Sequence, residues 1–83
     1  MEIRIFGPGC ARCHELEERT RQALTSLGQQ ANITKVQDIM EIAAAGALRT
    51  PAMQLDGRFV LQGRVPSVPE LESILSKAWA ATA

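Results

Sequence analysis

Gly7-Pro8-Gly9-Cys10-Ala11-Arg12-Cys13 is the stretch that decides how this chain is read. It follows a short β-branched run, Ile3-Arg4-Ile5-Phe6, and leads into a long helical pattern. Two thiols therefore sit where a strand hands over to the N-terminus of a helix. At a spacing of i, i+3 their sulfurs come close enough to bridge or to share a metal ion. A thiolate at such a place gains from unpaired backbone N–H groups and from the positive end of the helix dipole. The residues point to thiol chemistry.

Working outward, Glu2 to Phe6 reads as a strand with Ile3 and Ile5 on one face. Gly7, Pro8 and Gly9 form a turn whose glycines accept unusual dihedrals. From Ala11 to Leu27 the stripe 13, 16, 20, 23/24, 27 has helical spacing, and Gly28 is a natural stop. The phase of that helix turns Cys13 inward with Leu16, Leu24 and Leu27. Cys10, ahead of the first turn, is expected to face solvent, as are Glu15, Glu18, Arg19 and Gln22. Ala31 to Val36 alternates as a second strand, and Asp38 with Glu41 starts a short helix through Ala45 that Gly46 ends. Ala52–Leu55 and Arg58–Leu61 flank Asp56-Gly57, a strong hairpin signal. Ser67 with Glu70 caps a last helix whose stripe is Val68, Leu71, Ile74, Leu75, Ala78 and Trp79, and the tail from Ala80 to Ala83 is expected to fray.

The predicted order is βαβαββα. The first two strands, joined through a helix, form a parallel pair, and the hairpin adds an antiparallel one. The fold class is α/β: a mixed four-stranded sheet with helices on both faces, the first and third helices expected on different faces.

Eighty-three residues allow one domain, 1–83, which buries roughly 60–65% of its unfolded surface. Nine basic and nine acidic residues cancel, with no block of either sign, which argues against nucleic acid or an anionic membrane as the main partner. No apolar run approaches the ~20 residues that span a bilayer. Met1-Glu2-Ile3-Arg4 lacks the regions of a signal peptide, so the cytoplasm is the expected compartment, although a chain trimmed of its signal would read the same. Two close cysteines in such a setting are more often redox or metal groups than a structural staple.

Cys10-Ala11-Arg12-Cys13 between a first strand and a first helix resembles the thioredoxin superfamily. More narrowly, the Gly-x-Gly-Cys-x-x-Cys entry looks like the small thioredoxin-like group of redox-active disulfide proteins. Thr50-Pro51, just before the third strand, is similar to that family's cis-proline, and Gly63-Arg64-Val65-Pro66-Ser67 is similar to its turn into the last helix. The resemblance covers nearly the whole chain. It implies a thioredoxin-like fold and a Cys10/Cys13 dithiol–disulfide couple, with Gly9, Thr50 and Pro51 presenting backbone to the substrate. It also implies a monomer without a cofactor that reduces protein disulfides or relays electrons and is itself reduced by an upstream reductase. There are departures. Gly9 stands where larger thioredoxins carry Trp, Ala11-Arg12 where they carry Gly-Pro, and no residue matches their buried proton-moving Asp.

Cys10 is the candidate nucleophile: it would attack a partner's disulfide, and Cys13 would resolve the mixed disulfide. Arg12 and the helix start favour the Cys10 thiolate. Other readings of the same residues remain. The thiols could be inert. His14 completes the attachment signature of c-type haem, Cys-x-x-Cys-His, and is otherwise a half-exposed residue of the first turn. The main competitor is a carrier of soft metal, Cu(I) or Hg(II), using the same pair. Met40, Met53 and Trp79 read as core filler, and Arg58 and Arg64 as solvated.

Overall fold

The computed structural model describes residues 1–9 and 11–82. Strand β1 (Glu2–Phe6) leads to helix α1 (Ala11–Leu27), β2 (Asn32–Val36), α2 (Ile39–Ala44), β3 (Ala52–Leu55), β4 (Arg58–Gln62) and α3 (Val68–Thr82). The sheet runs β2-β1-β3-β4. β1 is parallel to β2 and antiparallel to β3, and β3 pairs antiparallel with β4. The mixed α/β architecture expected from the pattern is the one observed.

Local chemistry sets the element ends. Gly28 takes φ +67° and closes α1, with the amide of Gln29 bonded to the Leu24 carbonyl at 3.0 Å. Asp38 caps α2 by accepting the Met40 amide at 2.8 Å, and Ser67 Oγ accepts the Glu70 amide at 3.3 Å. The hairpin turn has positive φ at both Asp56 (50°) and Gly57 (84°), the geometry that matches strand twist. Asp56 also ties the turn to β1. Its carboxylate accepts the Glu2 amide at 2.8 Å, and its own amide donates to the Glu2 carbonyl at 2.8 Å.

The two faces of the sheet are unequal. Ile3, Ile5, Met53, Leu55 and Leu61 meet Leu16, Ala23 and Leu24 of α1 and Leu71 and Leu75 of α3 in one core. Helices α1 and α3 therefore lie on the same face, packed against each other, and not on different faces as expected. The reason is the amount of apolar surface. One sheet face carries the large aliphatic side chains and needs both long stripes, whereas the other offers only Phe6, Ala52 and part of Val36 and Phe59. Ile42 of the short α2 suffices for that second face, where the Phe6 and Phe59 rings sit 5.5 Å apart.

Strict alternation would have put Phe59 and Leu61 on one side of β4. A bulge prevents this: Met53 pairs with Leu61 and Gln54 with Phe59, so Val60 is the extra residue. The slip sends Leu61 to the large core and Phe59 to the small one. Two further expectations are corrected. Helix α3 continues through Thr82, into the tail expected to fray, because its alanines are the strongest helix formers. Met40 is 77% exposed and fills no core, since α2 presents only Ile42 inward; Met53 is fully buried, and Trp79 packs at the edge of the large core.

Leu71 is fully buried at the junction of α1, α3 and the sheet, so Leu71→Ala is expected to cost about 2–5 kcal/mol in urea unfolding. Ile39→Ala, at a 71% exposed position, should stay within about 0.5 kcal/mol of the parent.

Candidate active site

β1 ends at Phe6, and the Gly7 amide donates to the Val36 carbonyl at 3.0 Å, carrying the parallel ladder one residue further. The chain then turns through Gly9 at φ +89° and enters α1 at Ala11. Gly7 itself needs no unusual dihedral; it is present for space. A Cβ on Gly7 would collide with Cys13 Sγ and stand 3.2 Å from Cys13 Cβ. Of the two glycines, only Gly9 thus serves the turn through its dihedral, and Gly7 is the seat of the Cys13 side chain.

Cys13 is buried, as its phase on α1 predicts. The same imagined Gly7 Cβ lies 3.9 Å from Thr50 Cβ, so Cys13 and Thr50 converge on Gly7 from two sides. Thr50 is exposed, Pro51 is buried, and the peptide bond between them is cis. Residues 48–51 are pinned to the end of β4. Gln62 Oε1 accepts the amides of Leu48 (3.0 Å) and Arg49 (3.3 Å), and the Gly63 amide donates to the Pro51 carbonyl at 2.8 Å. Gln62 carried no signal in the sequence, because its role depends on which loop meets the strand end. Cys10, expected to be solvent-facing, lies outside the described residues.

Beside Cys13 opens a cleft of about 350 Å³ whose walls include Gly7, Gly9, His14, Lys35 and Gln37. Its wall residues His14 and Lys35 both reach Glu17, a buried carboxylate on α1 that the helical stripe did not foretell. Glu17 takes Arg21 Nη2 at 2.9 Å and Lys35 Nζ at 3.4 Å, with His14 Nδ1 at 4.0 Å. The hydrogen bond from Arg21, reinforced by Lys35, holds its carboxyl below the ordinary glutamate range, against the upward push of burial. The pair with Lys35 joins α1 to the edge strand β2. His14 is 69% exposed at its side chain and pairs with Glu17 only when protonated.

Arginines of α1 tie down the loop between β4 and α3. Arg12 Nη2 donates to the Gly63 carbonyl at 3.4 Å. Arg19, expected on a solvated face, is half-buried and donates through Nη1 to the carbonyls of Val65 (3.3 Å) and Pro66 (3.1 Å), with Glu15 at 2.5 Å from Nη2. Arg64 is exposed and pairs with Glu70 at 2.6 Å. Among the described residues no group of three or more His, Cys, Asp or Glu side chains gathers as a metal site, and no helix is long and apolar enough to cross a membrane.

A buried cysteine on the first turn of a helix, set against a Thr-Pro loop at the end of the central strands of such a sheet, defines a thioredoxin-like redox protein. A family sequence model described as a thioredoxin domain matches residues 1–76. The thioredoxin of Methanothermobacter thermautotrophicus is 40% identical over 76 residues, covering 92% of this chain and 99% of that one. The thioredoxin of Methanocaldococcus jannaschii is 41% identical over 73 residues, covering 88% and 84%. The chain belongs to the thioredoxin family.

Gly7→Ala is expected to destabilise the fold by about 1–3 kcal/mol, because rotating Cys13 moves Sγ away but leaves its Cβ in the way. Glu17→Gln should cost about 1 kcal/mol at neutral pH, a modest figure because Arg21 and Lys35 are half exposed and screened. Since folding depresses the Glu17 pKa, that contribution is present above the ordinary value of about 4.3 and is lost as pH falls through the lower folded-state value. Urea midpoints of parent and variant should therefore differ at pH 7 and converge as the medium is acidified and the Glu17 carboxylate takes up its proton.

Proposed function

We propose that the protein is a thiol–disulfide oxidoreductase that works through a Cys10/Cys13 couple. The Cys10 thiolate attacks one sulfur of a substrate disulfide, forming a mixed disulfide and releasing the other sulfur as a thiolate. Cys13 then gives up its proton and attacks Cys10 Sγ. The mixed disulfide breaks, the substrate leaves as a dithiol, and Cys10–Cys13 is left oxidised. Two electrons pass to the substrate, and an upstream dithiol reductase returns them. No bound cofactor enters the chemistry.

The observation that carries this reading is the seat of Cys13. Its buried thiol is held on Gly7, beside Thr50, and stands three residues after Cys10 in the sequence. A resolving thiol needs such a seat, screened from solvent, and the i, i+3 spacing is the one that lets it attack a Cys10 mixed disulfide. The first turn of α1 contains no acidic residue, so nothing on it opposes a thiolate there. Gly9 on the wall of the cleft, and Thr50 beside the seat with Pro51 next to it in sequence, would present backbone to an extended substrate segment. Both relatives carry the name thioredoxin, which supports the same reading. On it, the chain acts as a cytoplasmic monomer on protein disulfides.

Reduction of insulin with dithiothreitol as electron source tests the proposal. Cys10→Ser is expected to fall to the rate of dithiothreitol alone. Cys13→Ser should lose turnover and, pre-reduced and freed of dithiothreitol, accumulate a mixed disulfide with the substrate, visible as a mass adduct. Turnover that survives Cys10→Ser would remove the nucleophile assignment. A parent protein that leaves insulin intact but titrates tightly with Cu(I) or Hg(II) would replace it with a metal carrier.

A further inference from the structure

We propose that Arg12 and Arg49 form an anion-recognising rim that favours polypeptide disulfides flanked by aspartate or glutamate. The inference rests on the reductase reading and names the substrate class of that same site.

The cations around the site divide into two groups. Arg19, Arg21, Lys35 and Arg64 each lie within 4 Å of a carboxylate, on Glu15, Glu17, Glu17 and Glu70 respectively. Arg12 and Arg49 have no acidic partner among the described residues, and both are exposed. Yet both converge on one residue. Arg12 Nη2 bonds the Gly63 carbonyl at 3.4 Å, and Arg49 lays its Cβ and Cδ each 3.0 Å from where a Gly63 Cβ would stand. The Gly63 amide is bonded to the Pro51 carbonyl at 2.8 Å, and the neighbouring Thr50 shares the seat of Cys13. Two uncompensated charges are thus anchored through a single glycine to the loop that borders the thiol.

Two cationic side chains that meet at one residue, with no carboxylate paired to either among the described residues, favour an anion arriving beside them. The helix start beside Arg12 adds to the same potential, with no acidic residue in its first turn to cancel it. The guanidinium fork matches a carboxylate with two parallel hydrogen bonds. A carboxylate is the anion that a polypeptide carries next to its cystine without further modification. The absence of Cβ at Gly63 is part of the arrangement, since a Cβ there would crowd the Arg49 side chain at 3.0 Å.

Three synthetic peptides closed by the same disulfide, with Glu, Gln or Lys beside each cysteine, test the proposal. Each is reduced by pre-reduced protein at low and at high salt. The Glu peptide is expected to react faster than the Gln peptide by about two- to fivefold per arginine, the range given by exposed ion pairs. The Lys peptide should be slowest, and the spread should collapse near 1 M salt, where screening acts within ~3 Å. R12E/R49E should invert the order, R12K/R49K should keep it, and R12Q/R49Q should erase it. The quantity read is the ratio between peptides within one protein, because a change in thiol strength or in the folded fraction scales all three rates alike. If the parent reduces all three peptides at equal rates at low salt, or R12Q/R49Q keeps the parent's ratio, the rim is overturned and the reductase reading stands. If the parent reduces none of them, both fall.

Discussion

The contact between Cys13 and the backbone at Gly7 is the constraint on which the site depends. β1 is a central strand, paired on both sides, so its C-terminal end is one of the least movable points of the sheet. Placing a side chain of α1 directly on that end, with no Cβ between, fixes helix, sheet and thiol by a single close approach. The approach also sets the distance from the thiol to Thr50, because β3 is registered on β1 through Phe6↔Ala52. The bonds from Gln62 and Gly63 to residues 48–51 complete the frame. The proposed mechanism, in which one sulfur is held inward while another is attacked, calls for a rigid floor of this kind, and the ladder of hydrogen bonds at the end of β1 supplies one.

Much of this was legible in the chain, and the parts that were not share a physical cause. Periodicity placed α1, α3 and the hairpin because each buries a stripe whose spacing its own geometry dictates. The phase of α1 placed Cys13 inward by the same logic. What periodicity does not carry is relative placement. That α1 and α3 share a face follows from the area of the opposing sheet surfaces, a sum over β1, β3 and β4 that no single segment reveals. The bulge at Val60 follows from the need to send Phe59 and Leu61 to different cores, although their spacing of two argues for one face. Gly7 reads as a turn residue in sequence and proves to be a packing residue, because the partner that needs its space is six positions away on another element. Glu17 lies off the apolar stripe of α1 and is nevertheless buried, because Lys35 of β2 joins Arg21 in pairing with it, a meeting no single segment reveals.

Net charge shows the same blindness in its most consequential form. Nine cations and nine anions sum to zero, and the sum rightly argues against a polyanion as the principal partner. It says nothing about where compensation fails. In the folded chain Glu15, Glu17 and Glu70 are occupied in fastening α1, β2 and the β4–α3 loop, each with a nearby arginine or lysine. Acids used as fasteners are not available to neutralise the rim of the site. Among the described residues Arg4, Arg12, Arg49, Arg58 and Lys77 have no such partner, and of these Arg12 and Arg49 meet at Gly63. On the proposed reading a neutral protein thereby gains a locally cationic rim, whose polarity is a by-product of how the fold is held together.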